Sequence, residues 1–514
     1  MKIQELEQQY ARLPQLKALA SELGKSSGKT IFLEGLLASS APMLFASLSA
    51  KCPRRMLFVL QDAEEAGYFY HDLTQLMGTS DVLFFPSSYR RAVKYAQRDP
   101  ASEILRMEVL SRIMRKALSA LYVVSYPEAL AELVVSKKNL DARTLVLEKD
   151  QTIAVADIEK TLHEFGFHEV DYVYEPGQFA LRGSILDVYS FSCEYPYRVD
   201  FFGDDIDSIR TFEVEDQLSR EQCDHIEIVP ELTLTAEDKV PFLSFVPNDT
   251  LLVTKDFLYV RDAIDRTYQE GFSAQAKQEQ LETATEMEQQ EIERQLRREL
   301  QLTTGARFMS DALNFRRIEF GHRPSSMDSP VVQFSCSVSL QPLFHKNFDL
   351  LQQTFSDYRE KGYRVYVCAD SQKQNERLKE ICGADVFTPI DKTLHEGFID
   401  HDLRICVFTD HQIFDRFHKY NLKSDKARSG KMALTLKEIQ QFEIGDFVVH
   451  VDHGVGKFGG LVRMPIAQKA QSSPDTPSYQ EMIKIIYQNG DSIYVSIHSL
   501  YKVSKYKSQD NGRS

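Results

Sequence analysis

The chain has 514 residues, a length that corresponds to about three or four domains. Its 75 acidic residues outnumber the 61 basic ones, and the net charge of -14 argues against a protein whose whole surface binds nucleic acid. The sequence shows no signal peptide and no apolar run near the ~18 residues that span a bilayer, and its scattered cysteines form no Cys-x-x-Cys pair. We therefore predict a cytoplasmic protein that contacts no membrane.

Strands and helices alternate from the N-terminus to about residue 130. Apolar runs predict strands at TIFLEGLL, RMLFVLQ, DVLFFP and LYVVSY, and helices are predicted at AEEAGYFYHDLTQL and from about Ala101 to Ala117. This alternation predicts a mostly parallel sheet with helices on both of its faces.

Short strands and turns replace this pattern between about residues 131 and 232. The runs YRVDFF and IDSIRTF flank Gly203, Asp204 and Asp205, which predicts a hairpin with Gly203 at a positive φ. Gly183 is likewise interpreted as a turn residue. A long polar run follows at 272–302, where we predict a solvated helix, with a coiled-coil contact as the alternative.

The C-terminal part contains two further units. Strand and helix patterns alternate again over about 328–430, beginning with a predicted strand at VVQFSCSV, which predicts a small α/β domain. The polar, basic stretch 421–438 is interpreted as a linker. A compact β module of short strands follows at 440–506, where Asn489-Gly490 between two apolar runs predicts a hairpin. Several short strands in so few residues favour a small barrel.

The stretch SELGKSSGKT (21–30) resembles a phosphate-binding loop, but its chemistry is incomplete. Three residues, not four, separate Gly24 from Gly28-Lys29-Thr30, and the stretch precedes a predicted strand when it should follow one. The loop after that strand contains Gly35 but no lysine, and Glu34 adds repulsive charge. We predict no catalytic residue, no bound cofactor and no metal site in this chain.

Four stretches carry a family resemblance. The segment FALRGSILDVYSFSCEYPYRVDFFGDDIDSIRTFEVEDQLS closely resembles the domain that transcription-repair coupling factors share with the excision-repair protein UvrB. The segments FEIGDFVVHVDHGVGKFGGL and YVSIHSLYKVSKY resemble the RNA-polymerase-interacting, CarD-like domain of the same family. The segment FFPSSYRRAVKYAQRDPASEILRMEVL also resembles coupling factors. UvrB lacks the polymerase-binding domain and CarD lacks the UvrB-like module, so the combination is specific.

The resemblance implies an α/β multidomain fold. It comprises a degenerate RecA-like, UvrB-like α/β module (1–130 and 233–327) with an inserted α+β, UvrA-binding domain (131–232). A small flavodoxin-like α/β domain (328–436) and a C-terminal Tudor-like β-barrel (437–510) follow. In the family, a translocase that uses ATP and magnesium and pulls on DNA comes next, and we expect this chain to stop before it.

The resemblance also implies the partners: the β subunit of RNA polymerase, UvrA, and DNA mainly through the translocase. We expect an N-terminal portion of a coupling factor, monomeric and without enzymatic activity of its own. The alternatives are an ATP-dependent repair helicase that uses Lys29 or the degenerate loop, and a standalone CarD-like transcription regulator.

Site residues follow from the same resemblance. Arg182 matches the UvrA-binding motif, with Phe179 and His168 as further candidates, and the alternative for Arg182 is a salt bridge to Asp187 or Asp200. For polymerase binding the candidates are Met464, Leu461 and Arg463; the alternative is that Met464 packs under the loop 465–478. His450, Asp452 and His453 do not predict a metal site, because adjacent strand residues point to opposite faces.

Overall fold

A computed structural model describes residues 1–25, 30–88, 100–115, 120–214, 217–231, 238–272, 302–325, 331–383, 385–416, 444–450, 454–465, 479–487, 491–496 and 503–505. The helix predicted over 272–302 therefore lies outside the described residues except at its two ends. Residues 26–29 of the motif that resembles a phosphate-binding loop also lie outside them.

Helices and short buried strands alternate through the first part of the chain. The helix that begins at Ala63 is capped by Asp62, whose carboxylate accepts hydrogen bonds from the N–H groups of Glu64 and Glu65. The elements are α1 (Ile3–Tyr10), α2 (Pro14–Leu23), β1 (Ile31–Glu34), α3 (Ser40–Lys51), β2 (Arg55–Val59), α4 (Ala63–Met77), β3 (Val82–Phe84), α5 (Pro100–Met114), β4 (Leu121–Ser125), α6 (Pro127–Ala131), β5 (Val134–Val135) and α7 (Lys137–Ala142).

Residues 145–228 form a mainly antiparallel unit. The predicted hairpin is present, and Gly203 turns it with φ +65° in open space. The elements are β6 (Leu145–Glu148), α8 (Val155–Glu164), β7 (His168–Glu169), β8 (Gln178–Arg182), β9 (Ile185–Val188), β10 (Tyr197–Phe202), β11 (Asp205–Phe212), β12 (Ser219–Cys223) and β13 (His225–Ile228). Six of the described strands form one sheet in the order β12-β11-β10-β9-β8-β7, and β13 pairs with β6.

The chain then returns to the first unit. The elements that follow are β14 (Lys239–Val240), α9 (Phe242–Phe245), β15 (Leu251–Lys255), α10 (Phe257–Phe272), α11 (Gly305–Ala312), β16 (Arg316–Phe320) and β17 (Val332–Ser335). Seven described strands from both segments form one parallel sheet in the order β17-β1-β16-β15-β2-β4-β3. The prediction of a parallel α/β sheet is confirmed. Most of its strands are apolar and buried, as expected for strands covered on both faces, whereas residues of the edge strand β17 are alternately half-buried and exposed.

A second α/β unit contains β18 (Val338–Leu340), α12 (Phe348–Glu360), β19 (Arg364–Cys368), α13 (Gln372–Cys382), β20 (Thr388–Ile390), β21 (Phe398–Asp400), β22 (Ile405–Thr409) and α14 (Asp410–Ile413). The predicted single strand VVQFSCSV is wrong: β17 pairs with β1 in the first sheet, whereas β18 pairs with β21 in the second. The boundary that we drew at residue 328 therefore assigns β17 to the wrong sheet.

The C-terminal unit is an antiparallel meander. It contains β23 (Phe447–His450), β24 (Gly454–Pro465), β25 (Tyr479–Ile486), β26 (Ser492–Ser496) and β27 (Val503–Lys505). These five described strands have the order β26-β25-β24-β23-β27 around a small apolar core of their own. Strands β25 and β26 pair as the Asn489-Gly490 signal predicts, although the turn lies outside the described residues, and closure into a barrel stays a prediction.

Candidate partner-binding surfaces and the degenerate nucleotide position

The loop after β1 keeps the backbone shape of a nucleotide-binding fold. Gly35 follows the strand with φ +79°, and helix α3 begins five residues later at Ser40. A Cβ at Gly35 would lie 2.1 Å from the carbonyl oxygen of Cys336, so the next segment of chain closes over this glycine. The backbone of the adjacent chain segment therefore leaves no room for a side chain at this turn.

The start of α3 is covered in the same way by the second α/β unit. Ser39 Oγ donates a hydrogen bond to Asp72 Oδ2 at 2.5 Å and accepts one from the N–H of Glu396 at 2.9 Å. Asp72 Oδ1 accepts from the N–H of His395 at 2.7 Å, and the His395 ring stacks on Tyr68 with 3.4 Å between ring centroids. We call these five residues the clamp, because they hold the loop around His395 against α3 and α4.

The clamp is acidic where a nucleotide site needs positive charge. Asp72 is 2% exposed, and burial raises its pKa to about 7, against the opposing effect of the hydrogen bonds from Ser39 and His395. Burial also raises the pKa of the Glu396 carboxyl group. The nearby cation Lys255 is paired with Glu65. The clamp thus presents the carboxyl groups of Asp72 and Glu396 where a working nucleotide site presents cations.

Thr30 is the one residue of the Gly28-Lys29-Thr30 motif that the structure describes. Thr30 is buried, and its Oγ1 accepts a hydrogen bond from Arg317 Nη2 at 2.7 Å inside the sheet. Lys29 itself lies outside the described residues. The hydroxyl that would bind a metal ion in a working loop is committed to the core.

The sheet over 178–223 packs one face on its main core, and its other face carries charged residues beside a smaller apolar cluster. Alternate residues such as Phe179, Leu186 and Val199 pack in the core beneath helix α8, as the two-residue period of a strand requires. The other face carries charged residues in register: Asp187 lies opposite Arg198, and Arg198 lies opposite Arg210. This face is a candidate surface for an acidic partner.

Arg182 lies at the end of β8, just before the Gly183 turn. Its guanidinium forms a salt bridge with Asp187, one of the two alternatives that we considered, and its Nη1 donates to the carbonyl oxygen of Asp171 at 2.9 Å. The same guanidinium lies 4.7 Å from the centre of the Tyr172 ring. The side chain still keeps 34% of its surface exposed. Contacts within the chain therefore fix its orientation while it remains accessible to a partner.

Asp187 is the centre of this charged face. It is fully buried and accepts two hydrogen bonds from Arg198, from Nε at 2.7 Å and from Nη2 at 2.9 Å, besides its pair with Arg182. These hydrogen bonds raise the pKa of Arg198. Two guanidinium groups share one carboxylate, which leaves a net positive charge at the surface where Arg182 is exposed.

The three UvrA-binding candidates do not converge. Phe179 is fully buried in the core and offers no surface to a partner in this structure. His168 is exposed on β7, and its register opposite Gln178 places it on the same face as Arg182. The odd spacing between Phe179 and Arg182 already indicated opposite faces, and the alternation in YRVDFF could have revealed Arg198 and Asp200 as surface neighbours.

The three polymerase-binding candidates lie together on β24. Leu461, Arg463 and Met464 pair with Ile483, Glu481 and Gln480 of β25. On the other side of β24, pairing with β23 involves only Gly454–Lys457, so in the described structure the half that contains the candidates is paired on one edge. A β-bulge between Phe458 and Leu461, with Gly460 at φ +95°, separates the two halves.

Accessible apolar side chains flank this open edge. Leu461 is 41% exposed, and Ile444 and Phe447 are also exposed. An open strand edge with adjacent apolar side chains is suited to adding a strand from a partner. His450 is buried on β23, whereas Asp452 and His453 lie outside the described residues.

Comparison with known proteins relates both surfaces to described domains. A UvrB interaction domain matches residues 145–233, and a CarD-like/TRCF RID domain matches residues 442–507. The transcription-repair-coupling factor of Staphylococcus epidermidis is 22% identical over 555 residues, which cover 94% of this chain and 46% of that protein. That of Staphylococcus aureus is 21% identical over 546 residues, covering 93% and 45%.

The chain is thus similar to transcription-repair coupling factors over almost its whole length. It spans about half the length of the curated coupling factors that it matches. The UvrB interaction match begins at Leu145, the first residue of β6, and the CarD-like match includes the five described strands of the C-terminal sheet. No helix among the described residues is long and apolar enough to cross a membrane.

Proposed function

We propose that this chain is an adaptor that couples transcription to nucleotide-excision repair. It binds the β subunit of a stalled RNA polymerase at one surface and recruits UvrA at another. The observation that carries the proposal is the presence of a UvrB interaction domain and a CarD-like domain in one chain, on separate sheets with separate cores. Two independent surfaces are what an adaptor requires.

The UvrA surface is the charged face around Arg182, with His168 on the same side. An accessible guanidinium held by Asp187 is pre-organised to bind a carboxylate of the partner in a bidentate manner. Asp187 stays compensated by Arg198 when Arg182 turns toward the partner. Phe179 supports this face from the core.

The polymerase surface is the open edge of β24 between Leu461 and Pro465. Backbone groups there supply hydrogen bonds to an added strand, and Leu461 and Met464 supply apolar contacts. Arg463 would pair with an acidic group of the same partner.

We further propose that the chain has no catalytic activity of its own. The blocked Gly35 and the buried acidic clamp support this proposal. ATP and magnesium would be used in the part of coupling factors that this chain does not span, and DNA would be bound mainly there.

Separate capture of the two partners tests the proposal. Met464→Arg should abolish capture by the immobilised β subunit and leave UvrA binding intact, because the charged side chain disrupts an apolar contact. Val455→Arg is the control, since Val455 is an exposed apolar residue on the other half of β24. Arg182→Ala should weaken only UvrA binding, with Arg220→Ala as its control on the same domain. Equal effects on both partners, or none, would contradict the site assignment.

Calorimetry tests the alternative of an ATP-dependent helicase. We expect no saturable binding of ATP with magnesium. Micromolar binding that is lost in Lys29→Ala would overturn the proposal of a non-enzymatic adaptor.

A further inference from the structure

A histidine and two glutamates converge at the C-terminal end of helix α8. Glu159 and His163 are four residues apart and therefore lie on one side of the helix. Gly166, with φ +81°, turns the chain immediately after the helix, and its N–H donates to the carbonyl oxygen of His163. This turn brings Glu169 of β7 back alongside the last helical turn.

The three potential ligand atoms lie within 4.8 Å of one another. Ligand atoms around a single zinc ion lie about 3.3–3.5 Å apart, as follows from zinc–nitrogen and zinc–oxygen bonds of about 2.0–2.2 Å in a tetrahedral site. Small rotations about side-chain bonds are sufficient to close the difference.

The histidine ring is held in place by a buried aromatic residue. His163 packs edge-on against Phe179, with 5.1 Å between ring centroids. Phe179 in turn lies opposite Glu169 in the β7–β8 register, so one core residue supports two of the three groups. A fixed imidazole loses less conformational entropy when it binds a ligand.

The three groups are free to bind an ion. Within the described part of the chain, the side chains of Glu159, His163 and Glu169 have no hydrogen-bond or ion-pair partner. Glu159 and His163 also line an open groove of about 590 Å³, which gives access from solvent. The neighbouring cation Lys160 is paired with Glu164 instead.

We propose that Glu159, His163 and Glu169 form a binding site for a divalent transition metal ion, with zinc as the best match. An imidazole with two carboxylates favours zinc, copper or nickel over magnesium or calcium, which prefer all-oxygen sites. Three protein ligands leave positions for water or for a group of a partner. This site does not depend on the adaptor function proposed above, and it departs from the sequence-based prediction that the chain has no metal site.

Cobalt(II) titration of the full chain after removal of metal by a chelator tests the site. Cobalt reports bound ligands by its visible absorption and replaces zinc in sites of this type. The wild-type chain should bind one more cobalt ion than His163→Ala does. Glu169→Gln should lower the affinity for that ion by at least about tenfold. Zinc should displace it.

His225→Ala is the matched control. His225 is an exposed histidine of the same domain that also lies beside two glutamates, but Glu148 and Glu227 contact different ring nitrogens, at 3.3 and 3.4 Å. Its removal should leave the cobalt titration unchanged. Metal-free melting curves of all variants should coincide with the wild type, since the mutated side chains are exposed. Identical titrations of the wild type and His163→Ala would overturn the proposal.

Discussion

Two arginines on the antiparallel sheet over 178–223 share the buried Asp187 but contribute differently to stability. Arg198 is 14% exposed and holds the carboxylate with two hydrogen bonds, whereas Arg182 is more exposed and makes a single pair. Loss of Arg198 leaves a fully buried carboxylate with only one partner, which costs several kcal/mol. Loss of Arg182 leaves the stronger pair intact.

We predict that Arg198→Ala lowers the free energy of unfolding by about 3 kcal/mol and Arg182→Ala by less than about 1 kcal/mol. Urea denaturation of the two variants measures the difference. If Arg182→Ala were the more destabilising change, Arg182 would be a structural residue and its proposed role in UvrA binding would lose its support.

Asp72 makes a pH-dependent contribution to stability. Its folded pKa of about 7 lies above the ordinary aspartate value, so the native state binds a proton that the unfolded state has already released. The corresponding stabilisation is complete below about pH 3.8 and is lost as the pH rises toward 7. Above that range the contribution no longer changes.

Comparison with Asp72→Asn isolates this group, because the amide does not titrate. The difference in unfolding free energy between the wild type and the variant should fall by up to about 1.4 kcal/mol per pH unit between pH 5 and 7, then level off. A difference that stays constant across this range would show that Asp72 is ionised in the native state.

At the scale of elements, the turn after β1 depends on a glycine for two reasons. Gly35 has a positive φ and a backbone oxygen only 2.1 Å from where a Cβ would lie, whereas Gly203 has a positive φ in open space. We predict that Gly35→Ala destabilises the chain by more than about 2 kcal/mol and Gly203→Ala by about 1 kcal/mol. Thermal unfolding of both variants measures this, and equal losses would mean that Cys336 moves freely away.

The elements themselves were largely predictable from sequence. Runs such as RMLFVLQ and LYVVSY are continuous and apolar, which is characteristic of strands buried on both faces, and their pairing in a parallel sheet was expected. The hairpin at Gly203 followed from local turn chemistry. These signals are contained within a few residues of chain.

The contacts between elements were not predictable. The clamp joins Asp72 to His395 across 323 residues, and no local pattern encodes that pairing. The division of VVQFSCSV between two sheets depends on which edge of β1 is free, again a property of the assembled fold. Phe179 is buried on the face opposite Arg182, a placement that follows from strand alternation over 179–182.

At the scale of the whole molecule, the two α/β units form one body. Their largest core is shared, with Tyr10 packing edge-on against Phe398 and Cys368 buried in the same cluster. The antiparallel sheet over 178–223 and the C-terminal sheet each have a separate core. This arrangement places the two proposed partner surfaces on separately folded units, so that one partner does not need to displace the other.

The most direct test of this account is a bridging measurement. The β subunit of RNA polymerase is immobilised, and UvrA is passed over it with and without the chain, in the absence of ATP. The account predicts that UvrA is retained only when the chain is present, and that either Met464→Arg or Arg182→Ala reduces this retention. Competition between UvrA and the β subunit for the chain, or retention that requires ATP, would contradict it.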